Sequence, residues 1–173
     1  MTPNQGGTRA VGIADIPMVP RMLGFAGLLP QLACVVAVWL GPEEWLWTAK
    51  AIGFGYAAII FSFLGGMWWG LAAATSLHTP GSQSKFERGQ TRTLSVPSWI
   101  WFAAIAPSLI ALAAYLPWIF GGPWPGPSMI VLGGAIAGSL WVDRALGKYT
   151  PDWWMALRIP LSLTLGAATV LLA

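Results

Sequence analysis

Charge is scarce in this chain, and cysteine and histidine occur once each. Asp, Glu, Lys and Arg make up 9 % of the 173 residues, against about 25 % in a soluble domain. The shortage excludes a water-solvated fold of this length, because too little polar surface remains to cover one. A lone Cys34 forms no disulfide within the chain and carries no information on redox compartment. A lone His78 excludes a haem held by two histidines of one chain, and a metal site needs several ligands. His78 remains a weak candidate for a pigment magnesium or a quinone. What is present instead is apolar: 56 % of residues, with a mean hydropathy of +0.65.

Five apolar runs stand out, at 22–40, 51–74, 99–120, 128–142 and 159–173. A helix rises about 1.5 Å per residue and the hydrocarbon core is about 30 Å thick. The first three runs reach across unaided, and the last two must draw on their flanks. The reading is therefore an all-α membrane protein of five transmembrane helices. A short arm, residues 1–21, precedes a single membrane domain, residues 22–173. The longest stretch outside the runs, 75–98, is shorter than the roughly 40 residues below which domains seldom fold alone, so no soluble catalytic domain is expected. Eight of the nine basic residues fall on one side of this arrangement, with Lys50 alone on the other. The positive-inside rule then places the N-terminus in the cytoplasm and the C-terminus outside. Asp15, Pro17 and Pro20 interrupt the approach to the first run, which does not resemble a cleavable signal. A bacterial cytoplasmic (inner) membrane is the expected location.

Twelve tryptophans accompany the runs. Most lie at their ends, where an amphipathic indole favours the headgroup zone. Trp68 and Trp69 are the exception, set inside Gly65-Gly66-Met67-Trp68-Trp69-Gly70, and they are the candidate ligand-contact residues. A second GGxxxG string runs from Gly133 to Gly138. Small residues four apart let helix backbones approach closely, so Gly66, Gly70, Gly134 and Gly138 are expected packing positions. Pro30, Pro107 and Pro160 occur early in the odd-numbered runs, each releasing a carbonyl one turn back. A neighbouring Gln31, Ser108 or Ser162 is placed to satisfy it. The alternation of Pro-runs and Gly-Gly runs reads as two tandem hairpins followed by a fifth helix.

The five runs contain no Asp, Glu, Lys, Arg or His. Ion paths and proton relays need such groups, and a serine nucleophile needs a base beside it. Pumping, ion-coupled transport and intramembrane hydrolysis are therefore not expected, and the chain is not read as an enzyme. Charges gather just beyond the runs. Arg158 lies nearest the hydrocarbon, so it either snorkels or pairs with Asp143 or Asp152. The same three residues would be the centre of any interfacial activity. Lys85, Arg88 and Arg92 make a modest basic patch suited to lipid headgroups, with no need for nucleic acid.

Four strings carry a family resemblance: Pro20-Arg21-Met22-Leu23-Gly24 with Gly27-Leu28-Leu29-Pro30; Phe61-Ser62-Phe63-Leu64-Gly65-Gly66 with Trp69-Gly70; Ala106-Pro107-Ser108-Leu109; and Asp143-Arg144 with Trp154 and Leu157-Arg158. Together they resemble the domain of unknown function 3429 family, which includes transmembrane protein 69-like proteins. Where members often carry His or Arg, this chain has Trp68. The resemblance implies a five-helix inner-membrane protein and supplies no activity. The expected function is that of an accessory or assembly subunit packed against a larger respiratory or photosynthetic membrane complex, contacting lipids and other membrane subunits. The alternative is handling of a lipid-soluble ligand such as a quinone, tetrapyrrole or carotenoid.

Overall fold

A computed structural model describes residues 12–77 and 97–173. Among the described residues the chain is helical, with no strand. The helices are α1 (Met18–Ala26), α2 (Leu29–Leu40), α3 (Leu46–Leu77), α4 (Trp99–Ile119), α5 (Gly126–Ala145) and α6 (Trp154–Val170). Three stretches are long and apolar enough to cross a membrane: Met18–Leu40, which combines α1 and α2, then Glu43–Thr75 and Trp99–Ile119. The helix α6 is apolar but shorter. Large apolar side chains stand exposed on every long helix, among them Leu40, Phe63 and Phe102. Helices that are apolar all round suit a lipid solvent.

Helix boundaries differ from the apolar runs in an informative way. α5 continues past Val142 to Ala145, and α6 begins at Trp154 rather than Ile159. Both extensions bring charge into the helices: Asp143 and Arg144 on α5, Arg158 on α6. Hydropathy windows stop at charged residues, whereas a backbone keeps its hydrogen-bond ladder through them. The first run is broken instead of merely kinked. Pro30 sits at the start of α2, and the chain turns at Gly27-Leu28 before it. Tyr56 of α3 donates its hydroxyl to the Gly27 carbonyl. Gln31 is fully buried: its Nε2 donates to Thr169 Oγ1 at 3.1 Å, and Thr169 donates to Leu165 O at 2.7 Å. That chain of bonds ties α2 to the far end of α6. α4 closes with Gly121 at φ 70°, where the Gly122 amide bonds Pro117 O at 2.7 Å. This is the six-to-one bond of a Schellman ending, which favours glycine at that position.

The tightest helix contacts are made by glycines one position earlier than expected. A Cβ on Gly133 would lie 2.6 Å from the Gly166 carbonyl oxygen, and one on Gly166 would lie 2.7 Å from that of Gly133. α5 and α6 therefore cross backbone to backbone. Gly65 meets Ala104 of α4 in the same manner. Gly66, Gly70, Gly134 and Gly138 are exposed, with nothing within 4 Å of a Cβ built on them. The pairs packed most extensively, α5–α6 and α3–α4, straddle the boundaries of the two sequence hairpins rather than falling within them.

Glycine substitutions should separate these two sets. Gly133→Ala and Gly166→Ala should each lower stability by about 1–3 kcal/mol, as overpacking does. Gly134→Ala and Gly138→Ala should be neutral, or stabilising by up to about 1 kcal/mol from helix propensity. Thermal unfolding in a mild detergent would measure both sets.

Candidate functional site

One carboxylate organises an end of the bundle. Asp143, near the C-terminus of α5, is 0 % exposed. Burying an unpaired charge is prohibitive, so its oxygens need donors. Three are present. Arg158 of α6 donates from Nε to Oδ2 at 2.8 Å. Trp68 of α3 donates from Nε1 to Oδ1 at 2.9 Å, and Trp154 of α6 donates to the same oxygen at 3.3 Å. Trp68 is itself 2 % exposed, so its indole is a structural donor to a buried acceptor. Asp143 thereby joins α3, α5 and α6 through charge-assisted bonds, which are about twice as strong as neutral ones.

Beside this network lies a cavity of about 370 Å³. Its walls come from α1 (Pro20, Leu23, Gly24), α3 (Phe61, Phe63, Leu64), the Ile136 turn of α5, and α6 from Trp154 to Leu165. Gly27 and Leu28, where α1 gives way to α2, both lie on the wall. Gly24 brings α1 close to Leu161 and Leu157 of α6. Leu23 and Phe63 belong to the wall and are also exposed, at 68 % and 66 %. The cavity is partly open, with exposed wall residues on both α1 and α3.

Apart from the indole N–H groups of Trp153 and Trp154, the lining is apolar except at two neighbouring positions, Arg158 and Ser162. Arg158 has a 13 % exposed side chain and bonds Asp143 through Nε, and its Nη nitrogens make no hydrogen bond to a described residue. Ser162, one helical turn on, is 2 % exposed, and its Oγ has no partner. It does not serve the carbonyl released by Pro160, the task sequence reasoning gives it. Buried polar atoms are nearly always paired; this hydroxyl, itself fully buried, is a donor left without a partner at the edge of the cavity. Asp143 is held in position by its three donors.

The sequence candidates fall in different places. Asp143 and Arg158 are brought together, while Asp152 is exposed and has no ion pair among the described residues. Trp68 supports Asp143 from behind and is not on the cavity wall. Trp69 is half-exposed and packs edge-on to Trp101, with ring centroids 4.8 Å apart. His78, Lys85, Arg88 and Arg92 lie outside the described residues. No group of three metal-ligating side chains occurs among the described residues. Trp154, Ser162 and Thr169 are the residues that sequence reasoning misses. Trp154, Arg158 and Ser162 follow at intervals of four and so share one helix face; that spacing is the signal that points to them.

A family model described as "Protein of unknown function (DUF3429)" matches residues 16–173, and the chain belongs to that family. The matched span includes every residue of the network and the cavity wall. No curated protein and no solved structure gives a significant match.

Removing one partner of a buried pair strands the other, so Asp143→Ala and Arg158→Ala should each cost about 3–5 kcal/mol. The double variant should cost less than the two together, by more than about 1 kcal/mol. A double-mutant cycle from denaturant unfolding in detergent would read this coupling, and additive losses would show that the pair does not act as a unit.

Proposed function

We propose that this member of the DUF3429 family is a multi-pass membrane protein that holds a lipid-soluble amphiphile in the cavity between α1, α3, α5 and α6, and that it catalyses no reaction there. The observation that carries the proposal is the orphaned Ser162 hydroxyl, set one turn from the partly engaged Arg158 on a mostly apolar wall. The volume falls within the roughly 300–1,000 Å³ of small-molecule sites, which are mostly apolar with a few convergent polar groups. The open side of the cavity, with exposed wall residues on α1 and α3, gives a route in for a molecule already dissolved in the bilayer. A quinone ring with the start of its tail is of the right kind, as is a single lipid chain.

The membrane placement follows the same logic. All five apolar stretches cross, with α5 and α6 completed by their flanking tryptophans. Up-and-down order puts Arg21, Arg144, Lys148 and Arg158 at the Asp143 end and Lys50 at the other. The positive-inside rule then sets the Asp143 end in the cytoplasm, and a bacterial inner membrane accommodates the arrangement.

A second reading is that of an accessory or assembly subunit of a larger membrane complex. It is favoured by the outward glycines Gly66, Gly70, Gly134 and Gly138, which leave open ground where another helix can approach. Gentle native extraction distinguishes it: an 18.4 kDa species migrating alone, beside intact neighbouring complexes, contradicts the subunit reading.

Mass spectrometry of an organic extract of the protein, purified in mild detergent, tests the cavity. A lipid-soluble molecule at near-stoichiometric amount is expected, and its amount should fall in Ser162→Leu, which adds bulk at the cavity wall. Recovery of nothing above the detergent background from the unaltered protein would overturn the proposal.

A further inference from the structure

We infer that the molecule held in the cavity presents a neutral hydrogen-bond acceptor, a carbonyl or ether oxygen, to Arg158 and Ser162. The inference rests on the binding reading above and adds the chemistry of the head and the direction in which the ligand lies.

The donors come first. Arg158, whose Nη groups bond no described residue, and Ser162, whose buried hydroxyl has no partner, stand one turn apart on one face of α6, and both residues belong to the cavity wall. A guanidinium only donates, and a serine hydroxyl donates as readily as it accepts. A hydrocarbon without a polar head would leave both without partners. A cationic head would face a guanidinium in a poorly solvated space, where like charges repel strongly.

Charge then decides between a neutral acceptor and an anion. Arg158 is already matched by Asp143 at 2.8 Å, so the pair carries no net formal charge. No other basic residue lines the cavity. An anionic head would bring a second negative charge close to a fully buried carboxylate, with one cation for the two. Sites for phosphate or carboxylate heads gather several basic side chains. A carbonyl oxygen takes the same donors and leaves the balance of charge untouched.

The shape of the wall sets the orientation. Arg158 lies toward the Trp153-Trp154 end and Ser162 one turn deeper, and beyond Ser162 the wall is apolar as far as Leu165 and Ile136. The aromatic rings of Trp153 and Trp154 suit a flat ring near the head. The tail leaves past the exposed wall residues Leu23 and Phe63.

Three probes with the same tail test this: decylbenzoquinone, decyl phosphate and decane. Each is measured by equilibrium dialysis against the full chain in phosphatidylcholine nanodiscs, with empty nanodiscs as the reference. Decylbenzoquinone should bind about tenfold or more tightly than either of the others, the factor that one or two hydrogen bonds supply. Ser162→Ala should weaken it about fivefold, a fraction of that loss, with no fall in Tm, because the hydroxyl has no partner to lose. Ser162→Leu, which adds bulk at the wall, should weaken it further. Arg158→Lys, which keeps the charge beside Asp143, should weaken decylbenzoquinone without raising affinity for decane. Decyl phosphate binding as tightly as the quinone, or Ser162→Ala leaving the affinity unchanged, overturns the neutral-acceptor head while the cavity reading stands. Absence of binding by all three probes, together with an empty organic extract, overturns both.

Discussion

A carboxylate without access to water must be surrounded by donors, and the donors must come from neighbouring elements. Asp143 imposes that condition on this protein. Its two oxygens draw in Trp68 from α3 and both Trp154 and Arg158 from α6, so three helices meet at fixed rotation and height. The indole of Trp68 is buried at a point where the bundle would otherwise be filled by an aliphatic side chain. Arg158 is anchored by Nε, which holds the guanidinium against the cavity wall with its outer nitrogens uncommitted. The position of the cavity donors is thus a consequence of how the carboxylate is satisfied.

Two other devices hold what the carboxylate does not reach. At the opposite end, Gln31 and Thr169 connect α2 to α6 through a buried hydrogen bond. Between the two ends, Gly133 and Gly166 let α5 and α6 cross at backbone distance. α6 is thus held at both ends, and α1 packs beside it through Gly24. That helix is separated from α2 at Gly27-Leu28, where the Tyr56 hydroxyl covers the exposed Gly27 carbonyl. A discontinuous helix beside a binding site recurs in membrane proteins, where irregular backbone is tolerated if it lines a cavity. Here the break lies on the cavity wall, and α1 supplies exposed residues of that wall.

Much of this was legible in the residues. The helical class and the position of the apolar stretches follow from hydropathy, and Pro30 points to the disrupted first span. The need of Arg158 for a carboxylate partner follows from its nearness to the hydrocarbon. The site was less legible, for physical reasons. Asp143 ends an apolar run, and a window reads such a residue as flanking, although the helix carries it inward. Trp68 and Trp154 are indistinguishable by composition from anchoring tryptophans, since an indole donor serves a headgroup and a buried carboxylate equally well. In each Gly-Gly pair either residue can face the neighbouring helix; the 100° between them depends on rotation, which no pattern of small residues specifies. Ser162 reads as the partner of a proline-released carbonyl, and only the coordinates leave its hydroxyl unpaired.

Indole N–H resonances report most directly on whether Asp143 organises the bundle. Nitrogen-15 labelling of tryptophan gives one such signal for each of the twelve rings. The Trp68 signal is predicted to exchange slowly with solvent, and Asp143→Asn should shift the Trp68 and Trp154 signals while leaving those of the remote Trp39, Trp45 and Trp47 in place. A Trp68 indole that exchanges as fast as the exposed tryptophans, or that ignores the Asp143 substitution, would contradict the account.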